Sequence, residues 1–195
     1  MRISDAGIAQ LIAHEAIVPY RYRDAVGVDT WGIGHTASAG PPDPATLRLG
    51  VAFSLAEVFA VFLRDLARFE ARVRQAVKVP IAQHEFDALV SFDFNTGGVD
   101  RAELTAALNA GDRATAAARF MGWSRPATIV PRRRSEQSLF ATGVYAGDGL
   151  ADIFRADATG RVDLASRRTI AVLPLIQEAR ANQAGGPAES GKLLY

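Results

Sequence analysis

The sequence predicts an α+β fold, mostly α, with its helical and β parts segregated along the chain. Three observations carry that expectation. An apolar stripe keeps helical period from Phe53 to about Val79. Aromatic and polar residues alternate at period two on either side of a glycine turn between residues 20 and 33. Shorter helical segments punctuated by Gly and Pro then fill residues 83–142. With 195 residues, 49% of them hydrophobic and 22% charged, the chain is long enough to bury a core without disulfide or metal staples.

Residues 5–15 read as the first helix. Ser4 is placed as its N-cap, Asp5 complements the dipole, and Ile8, Leu11 and Ile12 form an i, i+3, i+4 stripe. The i+7 position of that stripe is Glu15, so a carboxylate stands where a core residue is expected. Pro19 ends the helical pattern. Tyr20 to Asp24 and Thr30 to Gly34 flank Val26-Gly27-Val28, which reads as a short β-hairpin. Residues 37–46, rich in Ser, Gly and Pro, read as a loop.

The segment from Phe53 to about Val79 has the strongest helical signal. Ser54 and Glu57 make a capping box, with Phe53 and Val58 as a hydrophobic staple. Phe59, Phe62, Leu63, Leu66, Phe69, Val73 and Val77 keep the period until Pro80 stops it. Such a helix spans about 35–40 Å, enough to connect two lobes. Residues 83–95 read as a helix closed by Gly97-Gly98. Asp100 opens a short helix ending near Gly111, Asp112 caps another reaching about Trp123, and Pro131 opens 132–142, closed by Gly143. Farther on, the pattern reads as a helix from Asp163 broken near Pro174, then a tail containing Gly185-Gly186-Pro187. A cleft is expected where the lobes join.

Composition excludes several chemistries. There is no cysteine, so disulfides, thiolate catalysis and Cys-ligated metal centres are ruled out. His14, His35 and His84 form no i, i+4 pair of the kind a zinc hydrolase uses. A formal net charge of +1 gives no electrostatic reason to expect nucleic acid or an anionic membrane as partner. Lys78 and Lys192 are the only lysines; the dominance of Arg reads as coding bias. The N-terminus lacks a signal-peptide core, and the apolar run Thr169 to Ile176 is far short of the roughly 20 residues that span a bilayer. Synthesis in the cytoplasm is therefore expected, without stable membrane insertion.

Carboxylates, hydroxyls and single histidines remain as candidate catalysts. Glu15, on the buried stripe of the first helix, has the desolvated setting that favours the protonated form a general acid needs. Its ordinary reading is a solvated residue at a frayed helix end. Asp24 at the first bend of the hairpin reads alone as a turn former, and Thr30 alone reflects β-propensity.

Together they form Glu15-x8-Asp24-x5-Thr30 followed by Trp31-Gly-Ile-Gly-His35, which resembles the active-site segment of the phage-type lysozymes of glycoside hydrolase family 24. Gln83 to Gly97 is similar to that family's central helix with its Phe-Asn-x-Gly turn. Trp123-Ser-Arg-Pro126 is similar to its Trp-Asn-Arg segment. Arg132-Arg-Arg-Ser-Glu136-x3-Phe140-x2-Gly143 is similar to its arginine helix. The resemblance covers about residues 4–147. It implies a two-lobed lysozyme-like catalytic domain over 1–150: a small lobe at about 15–52, a connecting helix at about 54–79 and a helical lobe at about 81–147. Residues 151–195 form an extension of unassigned role, which could pack on the C-terminal lobe, self-associate or contact a partner; its apolar run from Ile170 to Leu173 favours packing.

The resemblance further implies hydrolysis of the β-1,4 bond between N-acetylmuramic acid and N-acetylglucosamine in peptidoglycan. Glu15 would protonate the leaving oxygen, and Asp24 with Thr30 would hold a water on the opposite face of the sugar. That is inverting geometry, with the two carboxyl groups roughly 6.5–9.5 Å apart. Arg132 matches an arginine that pairs with the catalytic Glu, opposing desolvation. Gly34, Phe94 and Asn95 match cleft-lining positions, and His35 a mainly structural histidine; as ordinary readings the first three are turn, core and helix cap. Arg133 and Arg134 are read as a solvated basic face, His14 and His84 as surface or packing residues. No cofactor or metal is expected, and the protein is read as a monomer acting on glycan strands in the periplasm after holin-type release.

Three departures from the family pattern stand out. Ala16 replaces the glycine after the catalytic Glu, tolerable if its φ is not positive. Asp29 adds an acid beside Thr30. Ile129-Val130-Pro131 replaces Gly-Leu before the arginine helix. These departures and the extension motivate two alternatives, a catalytically weak module that binds peptidoglycan or recruits a protein, and a lytic transglycosylase, which needs the acid but no positioned water.

Overall fold

The computed structural model describes residues 1–185. The first helix, α1 (Asp5–Glu15), starts where expected, with the Gly7 N–H donating to Ser4 Oγ at 3.0 Å as an N-cap requires. Strands β1 (Val18–Arg23), β2 (Asp29–Gly32) and β3 (His35–Thr36) form a three-stranded sheet in that order, so the expected hairpin gains a third short strand. Tyr22 lies opposite Thr30, Arg23 opposite Asp29 and Trp31 opposite His35. Glycine at 32 and 34, with φ of +66° and +68°, makes the second turn possible.

Helix α2 (Leu55–Ala76) opens on the expected capping box: Glu57 N–H donates to Ser54 Oγ at 3.2 Å and Ser54 N–H to Glu57 Oε2 at 2.9 Å. It ends at Ala76 rather than near Val79. The Asn109 amide donates to the Ala76 carbonyl at 2.9 Å and accepts from the Lys78 N–H at 2.7 Å, while Val79, preceding Pro80, disfavours helical backbone. Helix α3 (Gln83–Thr96) follows and is buried on every side from Glu85 to Asp93. Helix α4 (Glu103–Asn109) begins after Ala102, not at Asp100, which is exposed and instead accepts from Arg72 at 3.4 Å. Helix α5 (Arg113–Arg119), capped by Asp112, runs into a 3-10 turn ending at Trp123, and α6 (Val130–Thr142) carries Pro131 in its first turn and closes at Gly143, φ +72°.

The extension departs from its expectation. Residues 150–171 are two strands, β4 (Leu150–Ala156) and β5 (Val162–Ala171), paired with each other, and α7 (Leu173–Ala184) follows. Pro174 sits in the first turn of α7, where its missing N–H costs nothing, so it opens a helix instead of breaking one. Gly186-Pro187 and the rest of the expected tail lie outside the described residues.

The chain divides into two compact units. The helical unit comprises Met1–Glu15 and Arg64–Leu150. Its core is built on Ile8, Leu11, Ile12, Leu66, Val73, Phe86, Leu89, Phe92, Leu104, Leu108, Phe120 and Phe140. The buried acids of α3 are satisfied: Asp87 accepts from Ser4 N–H at 3.0 Å and the Tyr145 hydroxyl at 2.7 Å, and Asp93 from Arg72 Nε at 2.8 Å and Val99 N–H at 3.0 Å.

The sheet unit comprises Ala16–Leu63 and the described residues from Ala151 onward. Trp31 is buried edge-on against Phe53 at 5.1 Å. The extension, for which packing on the C-terminal lobe is the expectation from sequence, belongs instead to this unit and joins it through its backbone. Ile17 pairs in parallel with Ile153, and the Arg23 N–H donates to the Gly160 carbonyl at 3.0 Å. Strand β4 and the turn that follows it are therefore bonded to the backbone at the two ends of β1.

Ala16, between α1 and β1, has φ +62°, the left-handed region that a Cβ disfavours by about 1–2 kcal/mol. The condition under which alanine would be harmless there is not met. Ala16→Gly removes that strain but adds freedom to the unfolded chain, for a net stabilisation of about 0.5–1 kcal/mol. A rise in Tm of roughly 1–4 °C is expected by calorimetry; an unchanged or lower Tm would refute the strain account.

Candidate active site

Helix α1 delivers Glu15 as its last residue. Its side chain keeps 21% of its exposure, so the apolar stripe ends at Ile12 and Glu15 is half-buried against a cation rather than in the core. That cation is Arg132, in the first turn of α6, whose Nη1 donates to Glu15 Oε1. The other donors of Arg132 are also committed: Nε to Glu136 Oε1 at 3.0 Å and Nη2 to the Ser91 carbonyl on α3 at 3.1 Å. A guanidinium held in three directions is a rigid fork, which a lysine could not reproduce.

Arg133 is not on a solvated face. It is fully buried, stacks over the Phe92 ring at 5.1 Å, and donates to Glu136 Oε2 and to Asn95 Oδ1. Arg134, next in sequence, is exposed as expected. Between the two buried arginines lies Glu136, itself fully buried and accepting from Ser91 Oγ at 2.7 Å. Burial pushes the Glu136 carboxyl up, opposed by Arg132, Arg133 and the Ser91 hydroxyl. Two guanidinium groups and the Ser91 hydroxyl all donate to it, contacts that favour the carboxylate against that burial. Burial, then the charges of Arg132 and Arg133, drive His14 down to about 4, leaving it neutral beside Glu15 at neutral pH.

Two further expected residues lie on α3 in this unit. Phe94 is half-buried against Phe69 at 4.9 Å. Asn95 is exposed and is not the helix cap: that place is taken by Gly97, φ +57°, and Asn95 is held by Arg133 instead.

The sheet unit carries the remaining expected residues. Asp24 Oδ1 closes the β1–β2 turn, accepting from the N–H groups of Val26 at 3.0 Å and Val28 at 2.8 Å. Oδ2 takes no part in those bonds. Thr30 is buried, and its Oγ1 donates to the Val28 carbonyl at 3.0 Å, the same carbonyl that accepts from the Asp24 N–H at 3.0 Å. One residue, Val28, thus fixes both side chains. Thr30 Oγ1, having donated, retains acceptor lone pairs.

Gly34 is exposed at the β2–β3 turn. His35 is buried, with Nε2 2.8 Å from the Pro42 carbonyl and its ring edge-on to Trp31. Asp29 is not a spare acid: it accepts from Arg21 Nε at 3.0 Å, and Arg21 Nη1 donates to the Ala45 and Leu47 carbonyls at 2.7 and 3.1 Å, tying the following loop to the sheet. Among the described residues no group of three or more acids or histidines is placed to hold a metal ion.

Glu136, within the arginine-helix motif, is assigned no role by the sequence. Its signal was present: a carboxylate three and four residues after two arginines on a helix.

Comparison with known proteins places the chain in a family. The family model for phage lysozyme matches residues 12–136. The endolysin of Salmonella phage P22 is 33% identical over 146 residues, covering 72% of this chain and 98% of the relative. The structure of an endolysin from Escherichia coli O157:H7 phage FAHEc1 superposes with a TM-score of 0.69 at 26% identity, over 75% of this chain and 98% of the other. A mutant P22 lysozyme gives 0.64 at 28% identity, over 73% and 99%. Arginine-paired Glu15, the Asp24 turn and buried Thr30 thus lie in a chain that belongs to the phage lysozyme family.

Proposed function

We propose that this peptidoglycan hydrolase cleaves the β-1,4 bond between N-acetylmuramic acid and N-acetylglucosamine with inversion. Glu15 is the general acid, and Asp24 and Thr30 hold the attacking water. The observation that carries the assignment of the acid is the single-sided grip of Arg132 on Glu15. Arg132 occupies Oε1 and leaves Oε2 to carry a proton to the glycosidic oxygen. For the water, Asp24 Oδ2 and the lone pairs of Thr30 Oγ1 are both acceptors. A water donating to both turns its own lone pair outward, as nucleophilic attack requires, and Asp24 takes the proton. Gly34, Phe94 and Asn95 line the substrate path, and Arg132 holds the acid in place.

Residues 1–150 form the catalytic domain, and the extension from 151 braces β1. The enzyme acts as a monomer on glycan strands, released to the cell wall through a membrane opening made by another protein. Among the described residues no helix is long and apolar enough to cross a membrane.

The test is product analysis. Digestion of purified sacculi should release muropeptides with reducing N-acetylmuramic acid ends, formed first as the α-anomer by NMR. Asp24→Asn should lower kcat about a hundredfold or more. Ends of the 1,6-anhydro type would show that no water attacks and would overturn the roles given to Asp24 and Thr30. Initial β-anomers would replace inversion with retention.

A further inference from the structure

The hydrolysis as described uses Glu15, Arg132, Asp24 and Thr30, yet Glu136, which faces both Arg132 and Arg133, is itself fully buried. It cannot touch substrate. Its contacts run outward along two arms. Oε1 accepts from Arg132 Nε at 3.0 Å, and Arg132 donates to Glu15. Oε2 accepts from Arg133, and Arg133 donates to Asn95. Ser91 Oγ, donating at 2.7 Å from α3, anchors the junction.

The spacing on α6 makes this possible. Arg132 and Arg133 are adjacent and leave the helix in different directions, while Glu136 lies at i+4 from one and i+3 from the other, within reach of both. One carboxylate therefore faces two guanidinium groups. Glu136 draws part of the Arg132 charge away from Glu15. On the second arm, Arg133 occupies Asn95 Oδ1, which turns the Asn95 amide N–H pair outward as donors.

We infer that Glu136 is a positioning residue for hydrolysis, holding Arg132 against Glu15 and Arg133 against Asn95 from beneath the site. The inference rests on the reading of Glu15 as the acid. Arg132 and Arg133 on α6 act on the Glu15 charge, Glu136 acts on both arginines, and His14 on α1 feels them; α3 contributes Ser91 and Asn95, neither of which titrates.

The effect has a sign. When the Glu136 charge is removed, Arg132 presents its whole charge to Glu15 and favours the carboxylate over the acid. The alkaline limb of kcat/KM, which reports loss of the acid's proton, then moves to lower pH. We expect Glu136→Gln to shift that limb down by about one pH unit, and so to lower kcat/KM about tenfold on the alkaline side. Glu136→Asp, which keeps the charge, should restore the wild-type limb. Where Glu136→Gln fails to fold by near-UV circular dichroism, Arg133→Met gives the complementary reading: Glu136 then belongs to Arg132 alone, and the limb should move up.

Glu15→Gln is measured alongside. If it is inactive while the limb of folded Glu136→Gln, or of Arg133→Met, stays at the wild-type pH, Glu136 is merely structural and the inference falls alone. If Glu15→Gln retains full activity, the assignment of the acid falls and the inference with it.

Discussion

Replacing Glu15 by Gln is expected to lower kcat/KM on peptidoglycan by roughly 10²–10⁴-fold, the range that a positioned general acid contributes. The substitution preserves shape and the Oε1 acceptor that Arg132 uses, so it removes the transferable proton and little else. Folding should be nearly unaffected, because the side chain keeps 21% of its exposure and the amide still accepts from the guanidinium. Turbidity clearing of permeabilised cells, with thermal melts of the same preparations, separates chemistry from stability. Loss of clearing at an unchanged Tm assigns Glu15 to the chemistry. Clearing within a few-fold of wild type would remove it from the mechanism, whatever its contacts with Arg132.

Much of this arrangement was legible before the structure, for identifiable reasons. Helices α1, α3 and α6 announce themselves by local chemistry: Ser4 at a cap, Gly97 and Gly143 at left-handed closures, Pro131 in a first turn. Glu15, Asp24 and Thr30 read as a set only through the resemblance of Glu15-x8-Asp24-x5-Thr30 to the family's active-site segment; one by one they read as a helix end, a turn former and a strand residue.

What stayed hidden depends on partners distant in sequence. The three consecutive arginines 132–134 look alike in a sequence, yet Arg133 is buried and Arg134 exposed because only the former meets Asn95, Phe92 and Glu136. Strand β5 is exposed along most of its length, including Leu164 at 74%, so it shows no alternation. Pro174 was ambiguous for the same reason: proline marks both the end of one helix and the first turn of another, and only the strand before it decides. The end of α2 was set by Asn109, outside any window around Pro80.

Arg132→Met should be the most destabilising single change in the site, by about 3–5 kcal/mol, because it removes one partner from a buried ionic network and leaves the others uncompensated. Glu136, with no exposure, would keep only Arg133 and Ser91, and Glu15 would lose its donor. For a chain of this size that corresponds to a fall in Tm of roughly 6–20 °C. Arg132→Lys should recover the charge and part of the stability, but not the activity, since an ammonium cannot donate in fixed directions to Glu15, Glu136 and the Ser91 carbonyl together. Arg134→Met supplies the control: it removes the same charge two residues along the same helix from an exposed position, and should change stability by no more than about 0.5 kcal/mol. Equal losses from Arg132→Met and Arg134→Met would mean that net charge on α6, rather than the buried network, sets stability here. A large loss confined to Arg132→Met, with Arg132→Lys folded but inactive, ties both the fold of the helical unit and the competence of Glu15 to the direction of one guanidinium.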